Sequence, residues 1–108
     1  MPIEVSGATG PHADKVNGTF MYTEERLSGK TVFSKRGDDY NCLFFASNKK
    51  WMIGLTAEAR AGKVAGFAFT ESGLSHPTLA KQWTVWDGKA WQSQPVVASV
   101  MVSLFTFY

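Results

Sequence analysis

The stretch that decides the fold is W-T-V-W-D-G-K-A-W, which runs from Trp83 to Trp91. Its Asp87-Gly88 pair lies between two short runs of aromatic and β-branched residues. This arrangement is a strong signal for an antiparallel β-hairpin, because both central positions of a type I′ turn require a positive φ. The segment therefore predicts two paired strands and, with them, an antiparallel sheet.

The length of the hairpin loop determines which side chains face each other. With a loop of two residues, Trp86 opposes Lys89 and Thr84 opposes Trp91, so that the two tryptophans lie diagonally on one face. A loop of three residues would separate them. Two interpretations stay open: the tryptophans pack within the fold, or they form an aromatic surface suited to a sugar ring, a proline-rich peptide or an unstacked base. The candidate ligand-binding residues are Trp86, Lys89, Trp91 and Thr84.

Similar strand-like runs recur along the chain, separated by clusters of Gly, Asp, Asn and Ser. The predicted strands are residues 18–23, 31–34, 42–46, 51–54, 64–70, 82–86, 90–92 and 96–107. Residues 56–60 and 79–82 predict single helical turns, and Gly66 predicts close backbone packing or a bulge. The pattern predicts an all-β fold, a single antiparallel β-sandwich or partly open barrel of about seven or eight short strands.

The first residues of the chain include a glycine-rich segment, V-S-G-A-T-G, from Val5 to Gly10. It resembles the turn of dinucleotide-binding folds, which needs a following helix to hold a pyrophosphate. Here Pro11 follows the last glycine, and no alternation of strands and helices comes after it. We therefore expect residues 1–14 to be an N-terminal arm or loop of the single domain 1–108.

The last residues, 96–108, are the most apolar part of the chain and predict a C-terminal strand. One face carries the even positions Val96, Ala98, Val100, Val102 and Leu104, which together with Trp51, Ile53 and Val85 form the predicted core. The aromatic residues Phe105, Phe107 and Tyr108 either complete that core or form an exposed patch that a second copy of the chain covers.

Composition and charge restrict the function. The chain has 108 residues, of which 44% are hydrophobic, and a formal net charge of only +2. Its basic residues form scattered pairs, such as Lys35-Arg36 facing Asp38-Asp39, whereas a nucleic-acid partner calls for a continuous basic stripe. The N-terminus lacks a secretory signal, and no apolar run is long enough to span a bilayer as a helix. We therefore expect a cytoplasmic or otherwise intracellular protein with no nucleic-acid partner and no membrane span.

Residues with catalytic or metal-binding chemistry are few. The single cysteine, Cys42, lies among apolar residues and is predicted to be a small buried group. The two histidines, His12 and His76, have no partner at a spacing suited to a metal. The sequence predicts no catalytic site, no metal and no cofactor, so the chain is not expected to be an enzyme.

Five short motifs follow one another along the chain. They are V-N-G-T-F from Val16, G-K-T-V-F from Gly29, L-F-F from Leu43, W-M-I from Trp51, and W-x-V-x-D-G-x-x-W-x-x-Q-P from Trp83 to Pro95. Their order resembles a small repeat-type β domain of protist, algal and marine invertebrate proteins. The resemblance covers most of the chain from Val16 to Val97 and implies a compact β domain, often repeated or joined to other modules, with no catalytic residues to carry over.

These observations predict a non-catalytic binding or protein-interaction module with a tryptophan-based aromatic surface, whose expected partner is a protein. The main alternative is a structural subunit that forms a homo-oligomer through residues 96–108. A carbohydrate-binding domain and a small enzyme are the remaining alternatives.

Overall fold

The computed structural model describes residues 1–100. Nine strands lie in this part of the chain: β1 (Ile3–Ser6), β2 (Gly18–Leu27), β3 (Lys30–Lys35), β4 (Asn41–Phe45), β5 (Lys50–Leu55), β6 (Ala68–Ser72), β7 (Trp83–Trp86), β8 (Trp91–Gln94) and β9 (Val97–Val100). Two short helices, α1 (Ala13–Val16) and α2 (Thr56–Arg60), follow β1 and β5, and a 3-10 turn (Pro77–Leu79) precedes β7. The all-β fold is confirmed, with nine strands in place of seven or eight.

The nine strands form one antiparallel sheet in the order β8-β7-β6-β5-β4-β3-β2-β1-β9. Since every neighbouring pair is antiparallel, the two edge strands, β8 and β9, run in the same direction. Only Pro95 and Val96 separate them in sequence. The sheet therefore curls into a partly open barrel, in which β8 and β9 are two halves of one bent strand that pairs first with β7 and then with β1.

The inner face of the curled sheet carries the main core. Strand alternation turns every second side chain inward, and the predicted core residues Trp51, Ile53 and Val85 are all buried. The core as a whole consists of Ile3, Val5, Ala8, Val16, Phe20, Phe33, Leu43, Trp51, Ile53, Ala68, Trp83, Val85, Val96 and Ala98. Burial of this continuous apolar surface is the main stabilising term of the fold.

The outer face carries a smaller core over the middle strands. It consists of Val32, Cys42, Phe44, Ala46, Met52 and Ala59, the last of which comes from α2. Cys42 is fully buried, which confirms that it is a small apolar group of the interior. Helix α2 thus covers only part of the outer face.

The prediction of an N-terminal arm or loop over residues 1–14 is wrong for Ile3–Ser6 and holds for the loop that follows them. Residues Ile3–Ser6 form β1, which lies between β2 and β9, and Ile3 is fully buried. The following loop packs against the junction of β8 and β9, which we call the seam of the barrel. There the side-chain amide of Gln94 donates to the carbonyl of Thr9 and accepts from its N–H. Gly7 has a φ of +97°, and a Cβ there would lie 2.5 Å from the carbonyl oxygen of Pro95. The glycine-rich segment therefore serves close backbone packing at the seam.

The strand predicted at residues 64–70 begins later, at Ala68, and ends at Ser72. The backbone before it runs close beside β5, where the N–H of Phe67 donates to the carbonyl of Ile53 at 2.7 Å. A Cβ on Gly66 would lie 2.5 Å from that same carbonyl oxygen. The expected close backbone packing at Gly66 is therefore present.

The C-terminal strand follows its predicted alternation only in part. Val96 and Ala98 are buried, but Val100, on the same face, is 41% exposed because it lies at an open end of the barrel. Val102, Leu104, Phe105, Phe107 and Tyr108 lie outside the described residues. Within residues 1–100, no helix is long and apolar enough to cross a membrane.

Candidate functional site

The predicted hairpin is present, and its loop has four residues, so neither the register of a two-residue loop nor that of a three-residue loop forms. Trp86 lies directly opposite Trp91, and the N–H of Asp87 donates to the carbonyl of Ala90 at 3.0 Å. The Asp87 carboxylate accepts the N–H groups of Lys89 and Ala90 at 2.8 and 2.7 Å. The hydrogen bonds from Ala90 and Lys89 lower the pKa of Asp87 and hold the loop.

This register determines where the four candidate residues lie. Thr84 opposes Ser93, and Trp86 opposes Trp91, so these side chains share the outer face. Lys89 is an exposed loop residue and does not face Trp86. The structure thus brings the two tryptophans and Thr84 onto one surface and leaves Lys89 outside the strand pairing.

A third ring joins the two tryptophans on this surface. The ring centroids of Trp86 and Trp91 are 5.3 Å apart, and those of Phe69 and Trp91 are 4.9 Å apart. We call Phe69, Trp86 and Trp91 the outer aromatic cluster. Trp91 is 43% exposed, and Lys50 places its Nζ 4.7 Å from the centroid of Phe69. The cation beside the aromatic rings is therefore Lys50.

A shallow cavity of about 140 Å³ lies beside the outer aromatic cluster. Lys50, Val64, Phe69 and Trp91 are among the residues that line it. Sequence reasoning missed Phe69 and Lys50 as members of this surface. No local sequence signal places Phe69 on this surface, because its position depends on the pairing of β6 with β7.

A larger cavity of about 470 Å³ opens at the end of the barrel where β2 turns into β3. Residues far apart in sequence line it, and we call it the end cavity. Its aromatic wall includes Tyr22, Phe33, Trp51 and His76, and its basic residues are Arg26 and Lys30. No single motif links these residues, which explains why the sequence alone did not indicate the cavity.

Hydrogen bonds fix two rings of the end cavity. The indole N–H of Trp51 donates to the carbonyl of Leu74 at 3.0 Å. The Nδ1 atom of His76 accepts the N–H of Thr78 at 3.4 Å and lies 2.7 Å from its hydroxyl. Burial and the positive charge of Lys30 lower the pKa of His76, which favours the neutral ring.

The remaining residues with reactive side chains lie apart. Burial raises the pKa of the Cys42 thiol to about 11, which keeps the thiol protonated at neutral pH. The ring of His12 packs against Phe67 with the centroids 4.9 Å apart. Among the described residues, no group of three or more His, Cys, Asp or Glu side chains could hold a metal ion.

Comparison with family models, with curated proteins and with solved structures finds no match for this chain. The resemblance to a repeat-type β domain therefore stays a prediction.

Proposed function

We propose that the chain is a non-catalytic binding module that contacts a partner protein through its outer aromatic cluster. The observation that carries the proposal is the position of Trp91, which is 43% exposed while it packs against both Trp86 and Phe69. Large, rigid aromatic side chains bury much area on binding and lose little conformational entropy. Tryptophan is accordingly enriched among the residues that dominate protein interfaces.

The angles between the rings favour a peptide over a sugar. Trp91 is inclined by 63° to Trp86 and by 58° to Phe69, so the three rings form no single flat platform. The neighbouring shallow cavity extends this surface toward Lys50. An angular aromatic groove fits the side chains of an extended or proline-rich peptide, which such grooves bind with little loss of peptide entropy.

The chemistry of the reactive side chains supports a non-catalytic role. A thiol with a raised pKa is a poor nucleophile, and Cys42 is fully buried. Nucleophilic catalysis would further need a general base within hydrogen-bond reach of an accessible nucleophile.

A display selection tests the proposal, with the intact chain as bait and a library of random short peptides. The selected peptides are synthesised, and their affinities are measured by fluorescence anisotropy for the wild type and for Trp91→Ala. We expect Trp91→Ala to weaken binding by about tenfold or more, because an interface tryptophan contributes a large share of the contact energy.

Tyr40→Ala is the matched control, because Tyr40 is also an exposed aromatic residue, at 78%, but does not belong to the cluster. It should leave the affinities unchanged. Peptides that bind Trp91→Ala as tightly as the wild type, or a selection without any binder, would contradict the proposal. Binding of cellohexaose that Trp91→Ala abolishes would replace the protein partner with a carbohydrate.

One observation favours the alternative of self-assembly. Val97, on the edge strand β9, is 59% exposed, and a second strand or apolar surface could cover it. Sedimentation velocity of the intact chain at rising concentration tests this alternative. Self-assembly through β9 predicts a dimer that Val97→Lys converts to a monomer, and a wild-type chain that stays monomeric excludes it.

A further inference from the structure

The end cavity lies on the other face of the sheet from the outer aromatic cluster and has a different chemistry. Its volume of about 470 Å³ falls within the range of small-molecule sites, which often occur in the mouths of β-barrels. The cavity lies inside the curl of the sheet, where Phe33 and Trp51 belong to the main core. Because these two rings are 5% and 2% exposed, they give the cavity a rigid wall and leave only their edges accessible to a ligand.

The wall of the cavity is aromatic and largely preformed. Phe33 and Trp51 have ring centroids 6.4 Å apart, and His76 lies 6.2 Å from Phe33 and 6.4 Å from Trp51. The hydrogen bonds to Leu74 and Thr78 hold Trp51 and His76 in these positions. Three mutually packed rings with fixed orientations favour a planar apolar body, because little side-chain entropy is lost on binding.

Two side chains of the cavity lining, those of Arg26 and Lys30, are positively charged. Among residues 1–100, no carboxylate side chain lines the cavity beside them. Arg26 donates one N–H of its guanidinium to the carbonyl of Gly29. The guanidinium has five N–H groups, so others can donate to a ligand. Lys30 places its Nζ 5.4 Å from the ring of Phe45, and within residues 1–100 neither cation forms an ion pair.

We propose that the end cavity binds a small organic anion, whose planar apolar body contacts Tyr22 and His76 and whose anionic group pairs with Arg26 and Lys30. Phe33 and Trp51, which are 5% and 2% exposed, form the closely packed part of the wall. A carboxylate or phosphate accepts charge-assisted hydrogen bonds from both cations, and the guanidinium fork matches either group in a bidentate way. The anion would also neutralise two like charges at one cavity. This site is independent of the outer aromatic cluster, because it uses the inner face and different residues.

The experiment measures binding of 2-naphthoate and 1-naphthyl phosphate to the intact chain by two-dimensional NMR titration. The neutral 2-naphthamide serves as the matched probe, because it keeps the planar body and lacks the charge. We expect both anions to bind with a dissociation constant below about 1 mM and to shift the resonances of Tyr22, Lys30 and His76. The amide should bind about tenfold more weakly or worse.

Two substitutions remove the proposed charge partners. Arg26→Gln and Lys30→Gln should each weaken binding of the anions by about tenfold and leave binding of the amide unchanged. Lys63→Gln is the matched control, because Lys63 is an exposed lysine that does not line the cavity. Thermal unfolding of each variant confirms that it stays folded before its affinity is compared.

Trp91→Ala separates this proposal from that of the outer aromatic cluster, since it should not change the affinity for the naphthyl anions. The proposal is overturned if neither anion binds at about 1 mM, or if the amide binds as tightly as the anions. Resonance shifts confined to Phe69, Trp86 and Trp91 would overturn it as well.

Discussion

The four tryptophans divide into two pairs with opposite environments. Trp51 and Trp83 lie on the inner face of the barrel and are 2% and 0% exposed. Trp86 and Trp91 lie on the outer face, where they pack against each other and Trp91 is 43% exposed. The inner pair belongs to the main core, whereas the outer pair packs across one hairpin and leaves Trp91 accessible.

Strand alternation alone accounts for this division. Trp83 and Trp86 are three residues apart on β7, and an odd separation places two side chains on opposite faces of a strand. Two tryptophans of the same motif can thus differ fully in role. The face on which each tryptophan lies depends on whether its position along the strand is odd or even, and not on how close the two are in the sequence.

The largest expected effect contrasts the two pairs directly. Trp83→Ala removes a fully buried ring and should lower the free energy of unfolding by about 3–5 kcal/mol. Trp91→Ala removes a half-exposed ring with its cross-strand contact and should cost only about 1 kcal/mol. Urea denaturation followed by circular dichroism measures both changes. Equal losses for the two variants would remove the distinction between inner and outer pairs.

A smaller effect is expected at the seam of the barrel. Gly7→Ala places a Cβ 2.5 Å from the carbonyl oxygen of Pro95 at a φ of +97°, and we expect a loss of about 2–3 kcal/mol. Gly29→Ala is the control, because Gly29 also has a positive φ, +81°, but has open space around it. The control should lose only about 1 kcal/mol, the cost of the backbone conformation. Gly29→Ala and Gly7→Ala variants of equal stability would show that the seam is not closely packed.

The smallest effect is expected at the loop between the outer tryptophans. The N–H groups of Ala90 and Lys89 lower the pKa of Asp87 in the folded chain, so the carboxylate stabilises the fold above its ordinary pKa. That contribution is lost as the pH falls through the folded-state pKa. The wild type should therefore unfold at a slightly higher temperature than Asp87→Asn at neutral pH, and the difference should vanish in acid. A difference independent of pH would exclude the ionised carboxylate as its cause.

Much of the fold follows from local patterns in the sequence. Runs of β-branched and aromatic residues predicted eight of the nine strands, with ends that differ by a few residues within the described part of the chain, and glycines on both sides of α2 predicted a single helical turn at Thr56–Arg60. Strand β1 was missed because its four residues, Ile3–Ser6, are too few to show a pattern beside a glycine-rich segment. Its partners, β2 and β9, come from distant parts of the chain.

The candidate sites were less predictable, because they depend on register and on long-range contacts. Asp-Gly predicted a hairpin but left its loop length open, and the Asp87 carboxylate accepts two N–H groups that stabilise a loop of four residues. Phe69 joins the outer aromatic cluster only because β6 pairs with β7. The end cavity combines side chains from β2, β3, β5 and the loop after β6, which only the curl of the sheet brings together.

The division of the tryptophans between the two faces is tested most directly by ¹⁹F NMR of the chain labelled with 5-fluorotryptophan. Each of the four residues gives one resonance, and single Trp→Phe variants assign them. On transfer from H₂O to D₂O, the resonance of Trp91 should show the largest solvent isotope shift, that of Trp86 a smaller one, and those of Trp51 and Trp83 none. A shift at Trp83 as large as that at Trp91 would contradict the account.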